Sequence, residues 1–116
     1  IPYVFPWRVS GYIKFLEGYY VGASADYRTA IRNASRSDPA TVTYVLVGMA
    51  ELALAQKDYA QAFRLCEIIL TNRSTWYPNR QIAQKIIMQA SAHLPESDQV
   101  KLRESVSYQG ILNELI

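Results

Sequence analysis

The sequence holds one cysteine, Cys66, and one histidine, His93, in 116 residues. A lone cysteine forms no intramolecular disulfide, which leaves the compartment open. One Cys and one His fall short of the three or four ligands that a zinc site needs, so no metal is expected. The acidic residues are scattered singly and no glycine-rich phosphate loop appears. Neither a catalytic centre nor a cofactor is therefore expected, and the reading is of a protein that is not an enzyme. Five glycines and five prolines are too few for a loop-rich or fibrous chain. The net charge of +2 implies no strongly acidic partner and weighs against nucleic acid. The longest apolar run, YVLVGMAELALA at 44–55, carries Glu51 and is too short for a bilayer core of about 30 Å. No stretch alternates with period two for long enough to argue a strand.

What remains is an ordinary globular composition, 50% hydrophobic and 19% charged, of a length that suits one domain. The opening IPYVFPWRVS holds two prolines and three aromatics. Pro2 and Pro6 bias their preceding residues towards extended backbone, so residues 1–10 read as a lead-in, not a helix. From Gly11 the periodicity is helical. A first helix ends near Gly22, and GASA makes a turn with Ser24 or Asp26 as cap. A second helix runs to about Ser37, where Asp38-Pro39 stops it. Helices follow over about 41–56 and 58–72, the latter opened by Asp58 and Gln61 at capping-box spacing. A fifth spans about 79–93 and a sixth begins near Asp98, with ILNELI as a final turn or short extra helix. The spacing predicts an all-α domain over 11–116, built of antiparallel hairpins at about 11–38, 41–72 and 79–109. No signal peptide is visible. The start without methionine suggests an excerpt from something longer, with any membrane segment upstream.

Two stretches repeat. Residues 25–34 read ADYRTAIRNA and residues 57–66 read KDYAQAFRLC, thirty-two residues later. Asp26/Asp58, Tyr27/Tyr59, Ala30/Ala62 and Arg32/Arg64 are identical pairs. An interval of this size marks stacked helical hairpins. Tyr27 and Tyr59 are then expected to seal two equivalent corners, with Ala30 and Ala62 one turn later where helices approach closely.

Residues 42–70, VTYVLVGMAELALAQKDYAQAFRLCEIIL, resemble the tetratricopeptide repeat. The resemblance rests on Leu46, the Met49-Ala50 pair, Ala53, the Asp58-Tyr59 turn, Ala62 and Ile69. Residues 11–38 fit at Gly18, Asp26, Tyr27 and Ala30, but place Lys14 and Glu17 where apolar residues belong. The third hairpin lacks the Asp-Tyr turn and reads as a capping unit. The resemblance implies a short right-handed solenoid of about six helices, whose first helices line a concave face that binds peptides or partner helices. The lead-in FPWR followed by such hairpins is also similar to the soluble tail of bacterial O-antigen polymerase and ligase-type membrane proteins. That similarity implies a periplasmic accessory domain; without it, the expectation is a cytoplasmic one.

On the expected concave face the candidate partner-binding residues are Tyr12, Phe15 and Tyr19 from the first helix. Tyr44, Val47, Glu51 and Leu54 follow from the next. Aromatic rings there bring large contact area with few rotors to freeze, although the same rings would equally cap the open end of the array. Arg28, Arg32 and Arg36 recur every fourth residue and form an alternative anion-binding stripe for phosphates or lipid headgroups, or a solvated outer face. The apolar C-terminus or the aromatic end offers a third reading, as an oligomerisation surface. Cys66 falls on an apolar stripe and is expected as a small buried hydrophobe, and His93 as a helix-end residue near free carbonyls.

Overall fold

Seven helices and no strand occupy residues 4–116, the part of the chain described by the computed structural model. They are α1 (Val4–Leu16), α2 (Tyr20–Ala34), α3 (Pro39–Ala55), α4 (Tyr59–Thr71), α5 (Tyr77–Ser91), α6 (Glu96–Ser105) and α7 (Tyr108–Leu115). The all-α expectation is met. The extended lead-in is not: α1 already starts at Val4 and takes Pro6 into its first turn. A proline is tolerated there because the first turn's N–H groups have no intrahelical acceptor to lose. Pro2 and Tyr3 lie outside the described residues.

The first corner also moves. Helix α1 stops at Leu16, and Gly18 takes the left-handed φ of +79°. Gly18 N–H donates to the Phe15 carbonyl (3.0 Å) and Tyr19 N–H to that of Lys14 (2.8 Å). This pairing is the Schellman closure, which satisfies carbonyls left open at a helix end. The GASA segment lies inside α2, where the Tyr19 ring covers Gly22. The same closure ends α3, with Lys57 at φ 63° donating to Leu54 O (3.0 Å) and Asp58 donating to Ala53 O (2.9 Å). The structurally equivalent starts are thus Tyr20 and Tyr59, thirty-nine residues apart rather than thirty-two.

The expected pair of Asp-Tyr corners is accordingly corrected. Asp58 does cap α4, accepting from Gln61 N–H at 3.2 Å, and Tyr59 stacks on His93 with ring centroids 4.0 Å apart. Asp26 instead sits mid-helix, buried against α1, where it accepts from Ser10 Oγ (2.6 Å) and pairs with Lys14 Nζ (2.9 Å). Tyr27 is fully buried in a notch left by Gly11. One dipeptide does two different jobs.

From α3 to the start of α6 the boundaries lie within two or three residues of those expected. Helix α6, however, ends at Ser105 rather than near 109 and packs mainly on α4 rather than on α5. Asp38 caps α3, accepting from Thr41 N–H (2.8 Å) and Thr41 Oγ1 (2.9 Å), and Pro39 supplies the first helical residue. Arg80 donates to the carbonyls of Leu70 and Asn72, closing the end of α4 onto α5. Consecutive helices pack from α1 through α5, and α1 also meets α3, α3 meets α5, and α4 meets α6. Helix α7 folds back onto α2, buries Ile111, Leu112 and Leu115, and ties Glu114 to Arg64 at 2.6 Å. The main core runs through Val42, Leu46, Phe63, Leu65, Cys66 and Ile69, all at or near zero exposure. Burial pushes the Cys66 thiol up to about 12, which leaves it inert. No helix among the described residues is long and apolar enough to cross a membrane.

Candidate interaction face

Helices α1, α3 and α5 lie side by side and share a face. At one end an aromatic ladder crosses all three: Phe5 to Tyr44 at 5.4 Å and Tyr44 to Trp76, the residue that opens α5, at 5.7 Å. At the other end Phe15, Glu51, Leu54, Ile82, Lys85, Ile86 and Gln89 border a trough of about 460 Å³. Its apolar walls come from three different helices: Phe15 and Leu54 are half-buried at the margin of the core, and Ile82 is exposed on α5.

Between ladder and trough lies a buried cation. Arg8 is only 7% exposed, and its guanidinium carbon stands 4.7 Å from the Tyr44 ring centre, 5.3 Å from Tyr27 and 5.8 Å from Tyr12. Its Nε donates to the Tyr44 carbonyl at 3.1 Å, and Nη2 is 3.8 Å from Glu51 Oε1. A ring face attracts a cation through its quadrupole, so three rings and a carbonyl share the task of replacing water. Gly48 makes this possible: a Cβ there would stand 2.7 Å from the guanidinium carbon. Burial raises the Glu51 carboxyl above its usual range, opposed by the Arg8 charge. Burial likewise pushes the Tyr27 phenol up to about 12, and its hydroxyl has no hydrogen-bond partner among the described residues.

Comparison with protein-family models, curated proteins and solved structures finds no match. The chain's own geometry is therefore what any functional reading must use.

The sequence-predicted partner-binding residues separate into groups. Phe15, Glu51 and Leu54 meet at the trough. Tyr44 is half-buried in the ladder, and Tyr12 stacks on Phe15 at 6.1 Å. Tyr19 is exposed, but at the α1–α2 corner rather than on α1. Val47 is fully buried and offers nothing to a partner, because α3 is enclosed by α1, α2, α4 and α5. The arginine stripe is interrupted: Arg28 and Arg32 are exposed on α2, whereas Arg36 stands in the turn beyond its end.

Five residues at the trough are not among the sequence-predicted ones, namely Ala55, Ile82, Lys85, Ile86 and Gln89. The spacing of the last four on α5, at 82, 85, 86 and 89, is a helical signal, but the third hairpin departs from the repeat pattern that points to a binding face. Arg8 was hidden by the prolines around it. Read as helix, 4, 8, 11 and 15 form one stripe, and a lone arginine on such a stripe asks for a glycine opposite.

Proposed function

We propose that this protein is a non-catalytic interaction module that receives a segment of another protein along the α1–α3–α5 face. The single observation that carries the reading is the trough, whose apolar walls from three helices enclose one half-buried acid, Glu51. Glu51 has only a long contact to Arg8, which is itself shared among three rings, so a cation delivered by the partner gains a counter-charge already positioned. Lys85 lies on the opposite wall and offers the converse to an acidic neighbour in the same segment. The expected ligand presents an apolar anchor next to a lysine or arginine, in keeping with how anchors in pockets dominate interface energies.

The contacts of α1 with α3, α3 with α5 and α4 with α6 support a short solenoid of the tetratricopeptide kind. The thirty-nine-residue spacing and the inserted α7 are departures from a regular array. The similarity of the opening stretch to envelope-protein tails extends the proposal to an accessory role beside a membrane enzyme. Transmembrane segments in the sequence upstream of Ile1 are the observation that this extension requires.

Selection from a displayed random-peptide library tests the main reading. The wild-type chain is expected to enrich peptides with a basic residue beside an aliphatic or aromatic anchor. Ile82→Arg, a change at a residue already partly in solvent, should abolish their binding, while Arg28→Ala with Arg32→Ala leaves it intact. Failure to enrich any sequence, or equal binding to the Ile82 variant, contradicts the proposal.

A further inference from the structure

Helix α1 has a second apolar face that the described residues cover only at its edge, where Phe5 leans on Tyr44 and Tyr12 on Phe15. Its buried face is the stripe of Val4, Arg8, Gly11 and Phe15. The outer face carries Phe5, Val9, Tyr12 and Leu16, again at intervals of four, three and four residues, with Ile13 beside them. These five side chains are between 39% (Tyr12) and 65% (Leu16) exposed. The four-three-four interval is the spacing of the seam between two paired helices, which keeps each side chain facing the partner along the whole contact.

We infer that this outer stripe is a self-association surface, on which a second copy of the chain packs its own α1 in antiparallel order. The charge pattern and the register of the stripe select a second copy. The stripe is free of charge: the charged residues of α1 are Arg8, which is buried, and Lys14, which is paired with Asp26. A copy therefore meets no like charge, the condition for a surface that complements itself across a two-fold axis. The seam in antiparallel order sets Phe5 against Leu16 of the second copy and Val9 against its Tyr12, so each layer joins one ring to one aliphatic side chain. Parallel order would instead stack Phe5 on Phe5 and Tyr12 on Tyr12, and would align the two helix dipoles unfavourably.

The area also fits. Five side chains about half exposed, at on the order of 200 Å² each, give roughly 500 Å² per copy and about 1,000 Å² in all. That is the lower bound for a specific interface, so the dimer is concentration-dependent rather than obligate. None of the five stripe residues lines the trough, although Phe5 also leans on Tyr44 and Tyr12 on Phe15, and the self-association test reads separately from the peptide-binding one.

Sedimentation equilibrium of the chain from about 10 to about 500 µM, with circular dichroism as a check on folding, tests this. The expected result is a shift from one chain mass to two. Val9→Glu and Leu16→Glu, both at exposed positions, should each raise the dissociation constant at least about a hundredfold by setting a charge into the seam. Single-cysteine variants then fix the order. Phe5→Cys mixed with Leu16→Cys should form a disulfide-linked dimer, while each alone does not, and Cys66 is buried and silent. Cross-linking of each variant to itself overturns the antiparallel arrangement. A monomer at every concentration overturns the inference, and co-sedimentation of that monomer with lipid vesicles would assign the stripe to a membrane surface instead.

Discussion

Gly11→Ala opposes two effects of known sign. An alanine in the interior of a helix is favoured over glycine by about 1 kcal/mol, so an isolated α1 would gain from the change. In the folded chain a Cβ at position 11 would stand 2.5 Å and 2.6 Å from two carbons of the Tyr27 ring. Ordinary carbon contacts lie near 3.5–4.0 Å, so the ring must retreat by roughly 1 Å. It has little room, being fully buried with the Arg8 guanidinium on it. Overpacking of this kind costs about 1–3 kcal/mol. Where the obstacle is a rigid buried ring, the upper part of that range applies, and the net expectation is a loss of about 1–2 kcal/mol. For a domain of this size that lowers Tm by about 4–8 °C in a thermal melt. Combining the change with Tyr27→Leu should reverse its sign, giving a coupling of about 2 kcal/mol in a double-mutant cycle. A rise in Tm for Gly11→Ala alone would refute the close approach of α1 and α2.

Other changes probe the same packing. Tyr27→Phe removes a buried hydroxyl that lacks a hydrogen-bond partner among the described residues, and should stabilise the domain by about 1 kcal/mol at neutral pH. The unfolded phenol ionises near 10 whereas the folded one is held to about 12, so the stability tied to Tyr27 drains away between those pH values. Urea titrations at both ends of that window should show the Phe variant losing less than wild type; identical losses would contradict the assignment. Ala62→Leu, at a fully buried position, should cost about 1–3 kcal/mol by overpacking, and an unchanged melting temperature would show that α4 has space there.

Helices α3, α4 and α5 were legible because their signals are local: Asp38-Pro39 ends the helix before, Asp58 with Gln61 has cap spacing, and the apolar spacing does the rest, while the cap that Asp38 gives α3 is shown only by the structure. The first hairpin was not, because its signals conflict. Proline argues against helix in general but not in a first turn, and GASA resembles a turn until Tyr19 is seen to cover Gly22. The thirty-two-residue repetition matched letters rather than positions. An Asp-Tyr pair makes a cap at a helix start, and mid-helix makes an interhelix ion pair with a buried ring; a single sequence does not distinguish the two.

At the site, Phe15, Glu51 and Leu54 were legible from helical phase. Val47 was misplaced because phase alone does not say that α3 is enclosed on nearly every side. The Arg8 cage depends on Gly48, forty residues away, and Arg8 follows prolines that argue for extended backbone although the stretch is helical.

The trough itself is tested most directly by an NMR titration of the labelled chain with a library-selected peptide. The account predicts that the largest amide shifts fall at Phe15, Glu51, Leu54, Ile82 and Ile86. Shifts centred on Arg28 and Arg32, or around Tyr108 and Arg103 beside α7, would contradict it.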